Sequence, residues 1–321
     1  MKLIQKLTLL ILAVPLLASS QQNYPNRVIR LVVPYAAGGA GDGVARPLAQ
    51  RLTEILGQPV IVDNKPGANA ALGADLVAKA APDGYNILLA AVVHYIVPMF
   101  SKSVPYDPIK DFTAIAPVVV TPNILAVHPS LPVKNTRELI DYAKKNPGKL
   151  FYGTTGVGST HHLGGILFAQ MAGIQMDHAP YKGGNPTISD ALGGQIPVVI
   201  LTSPTVLPHV NAGRLNAIGV IETKRARGTP DIPTLGETVT GYGLPDTWFG
   251  ILGPANMPKP LVERLNAAIR LATSDPELRT RLEKAGFEMS VSMTPDEFSS
   301  SIRNDAEIYR RIVSTAGIKP E

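Results

Sequence analysis

Residues 29–46 of the chain read IRLVVPYAAGGAGDGVAR, and the rest of the sequence is arranged around this stretch. It begins with a short apolar run of the kind that forms a strand buried on both faces. Four glycines follow within residues 38–43, and apolar residues from Val44 onward recur at helical spacing. A glycine-rich turn between a strand and a helix exposes backbone N–H groups next to the helix N-terminus. The stretch therefore predicts an anion-binding turn.

A second stretch of the same build lies far downstream, where residues 150–162 read LFYGTTGVGSTHH. Strands alternate with helices around both stretches, which predicts an α/β fold with mostly parallel sheets and right-handed crossovers. Ligands of such sheets bind beyond the carboxyl ends of the strands. The hypothesis is that two anion-binding turns face each other across a cleft.

The composition limits the class of protein. A length of 321 residues exceeds what one core usually serves, so two domains are expected. With 45% hydrophobic and 17% charged residues, the chain has the composition of a globular protein. No cluster of lysines and arginines with interleaved aromatics indicates a nucleic-acid partner. The absence of cysteine excludes disulfides, thiol catalysis and cysteine metal sites.

The N-terminus, residues 1–20, has the pattern of a signal peptide. Lys2 and Lys6 precede an apolar run, and small residues at 18–20 suit cleavage near Ser20. A membrane anchor is the alternative, but the apolar run is too short to span comfortably. We therefore expect export with cleavage of the signal peptide, which would lower the formal net charge of +5 by two.

Short motifs along the whole mature chain resemble one family. They are RLVVPY at 30–35, NKPGA at 64–68, PDGY at 82–85, NPGKL at 146–150, PYKG at 180–183 and WFG at 248–250. In order and spacing they resemble the Bug family, the TctC-like periplasmic solute-binding proteins of tripartite tricarboxylate transporters. The resemblance implies a two-lobed, type II-like periplasmic-binding-protein fold with a ligand cleft between the lobes. Lobe 1 is expected to comprise residues 21–124 and 248–321, and lobe 2 residues 125–247.

The resemblance also implies a function and a site. The protein would capture a small carboxylate as its lobes close, and present it as a monomer to the membrane components of the transporter, without a cofactor or metal. The carboxylate would be held by backbone N–H groups, which agrees with the absence of Arg and Lys from both turns. The candidate ligand-binding residues are Tyr35, Ala36, Ala37, Gly38, Gly39, Asp42, Val92, Thr155, Gly158, Ser159, Thr160, His161, Tyr181, Lys182 and Thr202.

Several of these residues have a second interpretation. Asp42 could cap the first helix instead of meeting the ligand, and Ser159 could cap the second. Lys182 could be a solvated charge or add positive potential to the cleft. Where the family often has polar residues, this chain has Val92 and Leu201, which suggests a ligand with an apolar body.

Other functions are less well supported. A sensor subunit that binds the same ligand and signals to a receptor kinase is the alternative function. The first turn lacks the spacing of a nucleotide-binding loop. Ser159 beside His161 and His162 lacks the elbow motif of a serine hydrolase. Adjacent histidines on a helix point about a hundred degrees apart, which does not suit joint metal binding.

Overall fold

The computed structural model describes residues 24–318, so the predicted signal peptide lies outside the described residues. In chain order the first elements are β1 (Ile29–Val33), α1 (Ala40–Leu56), β2 (Val60–Asn64), α2 (Ala71–Ala78), β3 (Asn86–Ala91), α3 (Val93–Phe100), β4 (Phe112–Val120), β5 (Asn123–Val127), α4 (Thr136–Lys145), β6 (Phe151–Thr154) and α5 (Thr160–Ala172). They are followed by β7 (Asp177–Pro180), α6 (Gly184–Leu192), β8 (Val198–Thr202), α7 (Ser203–Asn211), β9 (Asn216–Val220), β10 (Trp248–Pro254), α8 (Lys259–Ser274), α9 (Pro276–Lys284), β11 (Glu288–Met289) and α10 (Pro295–Thr315).

The strands form two separate sheets, one for each lobe. The six-stranded sheet of lobe 1 has the order β11-β4-β10-β3-β1-β2, and the five-stranded sheet of lobe 2 has the order β7-β6-β8-β5-β9. Helices flank both sheets, so the two-lobed α/β fold is confirmed. Among residues 24–318, no helix combines the length and apolarity that a membrane span requires.

The prediction of mostly parallel sheets needs correction, because both sheets are mixed. β1 runs parallel to β2 and β3, whereas β10 runs antiparallel to β3 and β4. In lobe 2, β6 runs parallel to β7 and β8, and β5 runs antiparallel to β8 and β9. Strands of βαβ units end at the edge that faces the other lobe, whereas β5 and β10 enter their sheets from that edge. They therefore run in the opposite direction.

The first strand and helix are fixed by apolar burial. Leu31 and Val33 of β1 and Val44, Leu48 and Leu52 of α1 are all completely buried in lobe 1. Removing each such side chain from water stabilises the fold by about 1.5–3 kcal/mol. This packing holds the loop between β1 and α1 at the edge of lobe 1 that faces lobe 2.

The chain passes between the two sheets at two adjacent places. One crossing leads from β4 into β5, and the other leads into β10. They are joined where the backbone N–H of Thr121 donates to the carbonyl oxygen of Thr247 at 2.8 Å, next to the paired residues Val120 and Trp248. Two adjacent strand connections between lobes are the arrangement that a hinge requires.

Candidate ligand-binding site

The first glycine turn leads directly into α1. Gly38 has a φ of +78°, in the left-handed region that favours glycine, and Gly39 is the N-cap residue of the helix. Within residues 24–318, the backbone N–H groups of Ala40 and Gly41 donate to no protein acceptor. Ala36, Ala37 and Gly38 are exposed. The turn therefore presents the free N–H of Ala40 and the positive end of the helix dipole to solvent, whereas Gly41 is buried.

Asp42 has a structural role in this turn. Its buried carboxylate accepts hydrogen bonds from the Gly38 N–H at 2.9 Å, the Arg46 Nε at 2.8 Å and the Asn64 Nδ2 at 3.1 Å. Burial would raise the pKa of Asp42, but the hydrogen bonds from Arg46, Gly38 and Asn64 together hold it below its ordinary value. Among the described residues, no N–H of the first turn of α1 donates to this carboxylate, so Asp42 does not cap the helix as the sequence suggested. Its carboxylate instead fixes the loop before α1 through donors of the protein itself.

The ring of Tyr35 packs away from the turn's open side. It meets the ring of Phe249 edge-on, with centroids 5.8 Å apart, and the Tyr35 carbonyl oxygen accepts a bond from Asn64 Nδ2 at 3.1 Å. A Cβ on Gly41 would lie 2.5 Å from Cδ2 of this ring. The Tyr35 ring therefore packs against the buried side of the turn, at Gly41.

The second glycine turn ends in a side-chain cap. Ser159 is the N-cap residue of α5, and its Oγ accepts from the His162 N–H at 3.1 Å and donates to the Gly156 carbonyl oxygen at 2.7 Å. The predicted capping role of Ser159 is therefore confirmed. The N–H groups of Thr160 and His161 have no hydrogen-bond partner in the part of the chain that the structure describes. This helix N-terminus also has free donors.

Three histidines lie in or behind the second turn and are neutral at pH 7. The ring of His162 stacks on that of His178 with centroids 3.9 Å apart, and its Nδ1 accepts from the Gly158 N–H at 3.2 Å. Burial lowers the pKa of His161 and of His162 to about 4 and that of His178 to about 3. Within residues 24–318, no group of three His, Asp or Glu side chains could hold a metal ion.

Several other predicted site residues are buried in the core of a lobe or form hydrogen bonds within their own lobe. Val92 and Leu201 are completely buried in the cores, so they do not form the cleft wall that the sequence suggested. The Tyr181 hydroxyl donates to Asp190 at 2.8 Å within lobe 2. Lys182 is exposed, and Thr202 Oγ1 lies 3.0 Å from Thr205 Oγ1 at the start of α7.

A cavity of about 560 Å³ lies between the lobes. Gly38, Gly39 and Ala40 line it from lobe 1, and Ser203 and Thr205 line it from lobe 2. Two helix N-termini, those of α1 and α7, therefore border the same space. Much of the remaining wall is apolar and consists of Ile188, Pro204, Leu207, Pro208, Ala226 and Phe287.

The second turn lies at a direct contact between the lobes rather than in the wall of this cavity. Asn69, in the loop after β2, donates from Nδ2 to the carbonyl oxygen of Val157. A Cβ on Gly156, which has a φ of +131°, would lie 3.1 Å from Asn69 Oδ1 and 3.2 Å from the Tyr181 carbonyl oxygen. The structure thus brings both turns to the facing edges of the lobes, with the first at the cavity and the second in contact with lobe 1.

Sequence reasoning missed two groups of polar residues at this junction. Ser203 and Thr205 follow β8, and the polar-proline start of α7 was the signal that could have indicated them. Asn123 Nδ2 lies 2.7 Å from both Glu222 Oε1 and Thr247 Oγ1. Burial raises the pKa of Glu222 to about 8. No local pattern in the sequence pointed to these partners.

Comparison with known proteins places this chain in one class. The model of the tripartite tricarboxylate transporter family receptor, TctC, matches residues 44–318. A UPF0065 protein of Bordetella bronchiseptica is 36% identical over 313 residues, which covers 97% of this chain and 92% of that protein.

Solved structures of similar proteins share the fold. An R. palustris protein solved with adipate is 32% identical, with a TM-score of 0.87, covering 93% of this chain and 100% of that one. MatC from Rhodopseudomonas palustris, solved with bound malate, is 27% identical, with a TM-score of 0.82, covering 90% of this chain and 100% of that one. The class is that of solute-binding receptors rather than enzymes. The chain belongs to the TctC family of tripartite tricarboxylate transporter receptors.

Proposed function

We propose that this protein captures a small carboxylate between its two lobes in the periplasm and presents it to the membrane components of a tripartite tricarboxylate transporter. The observation that carries the proposal is the start of α1. There, the free N–H group of Ala40 lies at the edge of a 560 Å³ cavity between the lobes, beside the exposed turn of Gly38. Relatives solved with adipate and malate support a carboxylate as the solute.

The chemistry of this region suits an anion with one carboxylate anchored by backbone donors. An N-terminal helix end stabilises a nearby negative charge by about 0.3–1 kcal/mol at exposed positions, and more where water is excluded. Two helix N-termini border the cavity, and closure of the lobes would exclude water from it. The carboxylate would then gain hydrogen bonds and dipole stabilisation without an arginine clamp.

The family and the predicted signal peptide support delivery to a transporter. We expect the mature protein to be a periplasmic monomer that opens and closes at the two crossings near Thr121 and Thr247. The alternative, a sensor subunit, would use the same pocket with a receptor kinase as partner. A pull-down from membranes that retrieves a kinase ectodomain and no transporter component would favour that alternative.

The first test of the proposal is a thermal-shift screen of the purified protein. The panel contains mono-, di- and aromatic carboxylates, each paired with its methyl ester. A ligand at a hundredfold excess over its Kd adds about 2.7 kcal/mol to the free energy of unfolding. We expect a carboxylate to raise the Tm, its ester to have no effect, and Gly39→Val to abolish the shift. Equal shifts with acid and ester would contradict an anion site.

A further inference from the structure

A clasp of three hydrogen bonds joins the two lobes beside the hinge. Arg227 lies in the loop after β9 of lobe 2, and its Nε donates to Oε2 of Glu288, in β11 of lobe 1, at 2.9 Å. The Nη2 of Arg227 donates to the Met289 carbonyl oxygen at 2.9 Å. The Gly228 N–H donates to Oε1 of Glu288 at 3.2 Å. Both oxygens of one carboxylate in lobe 1 are thus held by donors of lobe 2.

The surroundings of this clasp favour its formation. The side chain of Glu288 is only 12% exposed, although that of Arg227 is 70% exposed. Hydrogen bonds to a charged group are stronger than those between neutral groups, and little water competes for a carboxylate that is mostly buried. Among residues 24–318, Arg227 is the only cation within ion-pair distance of Glu288. It is therefore the counter-ion on which the buried carboxylate depends.

The clasp and the contact at the second glycine turn lie on opposite sides of the hinge strands. In the sheet of lobe 1, β11 is one edge strand and β2 is the other. Glu288 pairs with Val120, the last residue of β4 before the crossing, whereas Asn69 follows β2 and contacts Val157. In lobe 2, Arg227 follows β9, the edge strand that pairs with β5. The clasp is therefore next to the hinge and away from the glycine turns.

The distance of each contact from the hinge determines which one breaks as the lobes separate. Neighbouring strands lie about 4.8 Å apart, so Glu288 is one strand spacing from β4, and the loop after β2 is four spacings away, roughly 19 Å. A rotation about the hinge displaces atoms in proportion to their distance from it. The clasp therefore moves only about a quarter as far as Asn69 does. We expect the contact between Asn69 and Val157 to break while the long side chain of Arg227 keeps its bonds.

We propose that Arg227 and Glu288 form a pivot, a third and non-covalent connection between the lobes that persists while they open and close. The two strand crossings allow the lobes to twist as well as to bend, and a third point of attachment restricts the twist. Ligand-free molecules then stay near the path that leads to the closed cavity. The fraction competent to close is larger, and so is the affinity for a solute. The inference rests on the proposed capture by closure and names residues that control it.

Distances between spin labels test the pivot without any ligand. The chain has no cysteine, so labels attach only where one is introduced, at Gln50→Cys in α1 and Lys144→Cys in α4. Both positions are exposed, and one lies in each lobe. Pulsed electron paramagnetic resonance of the ligand-free protein gives the distribution of distances between the labels. We expect Arg227→Gln and Glu288→Gln each to widen this distribution, and the double variant to widen it no further than either single variant.

Arg225→Gln is the matched control. Arg225 also holds a carboxylate, that of Glu237, and a backbone carbonyl oxygen, that of Pro230, but all three residues lie in lobe 2. The control should therefore leave the distribution of distances unchanged. The melting temperature of each variant shows whether it is folded.

Calorimetric titration with propionate, succinate and benzoate is the second readout. Lobes that move more freely spend less time in the closed form, so the apparent Kd rises as the closed fraction falls. For any of these acids that binds, Arg227→Gln should raise the Kd about three- to tenfold, the effect of losing one hydrogen bond. Arg225→Gln should leave the Kd within about twofold.

The two readouts together decide whether the pivot exists. A wider distribution and a higher Kd in Arg227→Gln, with neither change in Arg225→Gln, support the proposal. An unchanged distribution in Arg227→Gln overturns it, as does the same widening in Arg225→Gln. A shorter mean distance with a lower Kd also overturns it, because the clasp would then oppose closure. If none of the three acids binds, carboxylate capture fails for these solutes, and the distances measured without ligand still support or overturn the pivot.

Discussion

The carboxamide Nδ2 of Asn123 lies 2.7 Å from Oε1 of Glu222, although 99 residues separate the two in sequence. Both side chains are buried, with 0% and 3% of their surface exposed. A carboxyl group in such a place is costly to ionise, because burial outweighs the hydrogen bonds from Asn123. The pKa of Glu222 is raised to about 8, with the nearby Asp246 a further, smaller cause.

Replacing Glu222 with glutamine should flatten the pH dependence of stability. The raised pKa means that the folded state binds one more proton than the unfolded state between about pH 4.5 and pH 8. In the wild type, the contribution of Glu222 to the free energy of unfolding is therefore fully present below pH 4.5. It is lost as the pH rises through 8, at up to about 1.4 kcal/mol per pH unit. Urea unfolding of both proteins from pH 5 to 8 measures the difference.

The histidines change the stability of the protein with pH in the opposite direction, and they do so equally in the wild type and in Glu222→Gln. The lowered pKa values of His161, His162 and His178 make the protein lose stability as the pH falls below about 6.5, in both proteins alike. Tyr242 and Tyr309 also face Glu222, and burial raises their pKa values well above the range of the experiment. Parallel stability curves for wild type and Glu222→Gln would show that Glu222 ionises normally in the fold.

Asp42→Ala should destabilise the protein by about 1.5–3 kcal/mol, because hydrogen bonds to a buried, charged acceptor are lost. The Gly38 N–H and Asn64 Nδ2 both donate to this carboxylate. Glu263→Ala is the control, since Glu263 forms only an exposed ion pair with Lys259 and should cost less than about 1 kcal/mol. Chemical denaturation gives both values. A cost for Asp42→Ala no larger than for the control would show that Asp42 does not organise the turn.

Asn69→Ala should loosen the contact between the lobes. Asn69 donates to the Val157 carbonyl oxygen across the gap, and one such bond contributes about 0.5–1.5 kcal/mol. Its loss should shift the ligand-free population toward open molecules and increase the radius of gyration in X-ray scattering. Asn146→Ala removes a comparable bond, from Nδ2 to the Tyr142 carbonyl oxygen at 3.0 Å, entirely within lobe 2. An identical scattering profile for both variants would count against a role of Asn69 in closure.

The sequence predicted the features that are local. The strand, glycine turn and helix of residues 29–46 follow from apolar spacing and glycine, and the capping of α5 by Ser159 follows from its place after the turn. The cap of α4 is equally local, since Oδ1 of Asn135 accepts from the Glu138 N–H at 2.9 Å. Each of these needs only neighbouring residues.

The remaining features depend on contacts that local patterns do not encode. Helix α3 contains Pro98 and β-branched residues, which local preference disfavours in a helix, yet burial of Tyr95 and Ile96 holds it. The direction of β10 depends on where the chain crosses between lobes. Glu222 is followed by polar residues of the kind found at a protein surface. Only the fold brings the backbone N–H and the Nδ2 of Asn123 within hydrogen-bond distance of its carboxyl group.

The central claim is that a carboxylate binds at the first glycine turn, and one matched pair of variants tests it directly. Gly38 precedes α1 and Gly57 follows it. Their φ values are +78° and +69°, and a Cβ on either residue would meet nothing within 4 Å. Alanine at either position should therefore cost a similar 1–2 kcal/mol or so of backbone strain.

The decisive measurement is calorimetric titration of the two variants with the tightest carboxylate from the thermal-shift panel. Gly38→Ala alters the turn that lines the cavity and should raise the Kd at least about tenfold, the loss of roughly 1.4 kcal/mol. Gly57→Ala, at the far end of α1, should leave the Kd within about twofold. Equal Kd values for both variants and the wild type would contradict carboxylate binding at this turn.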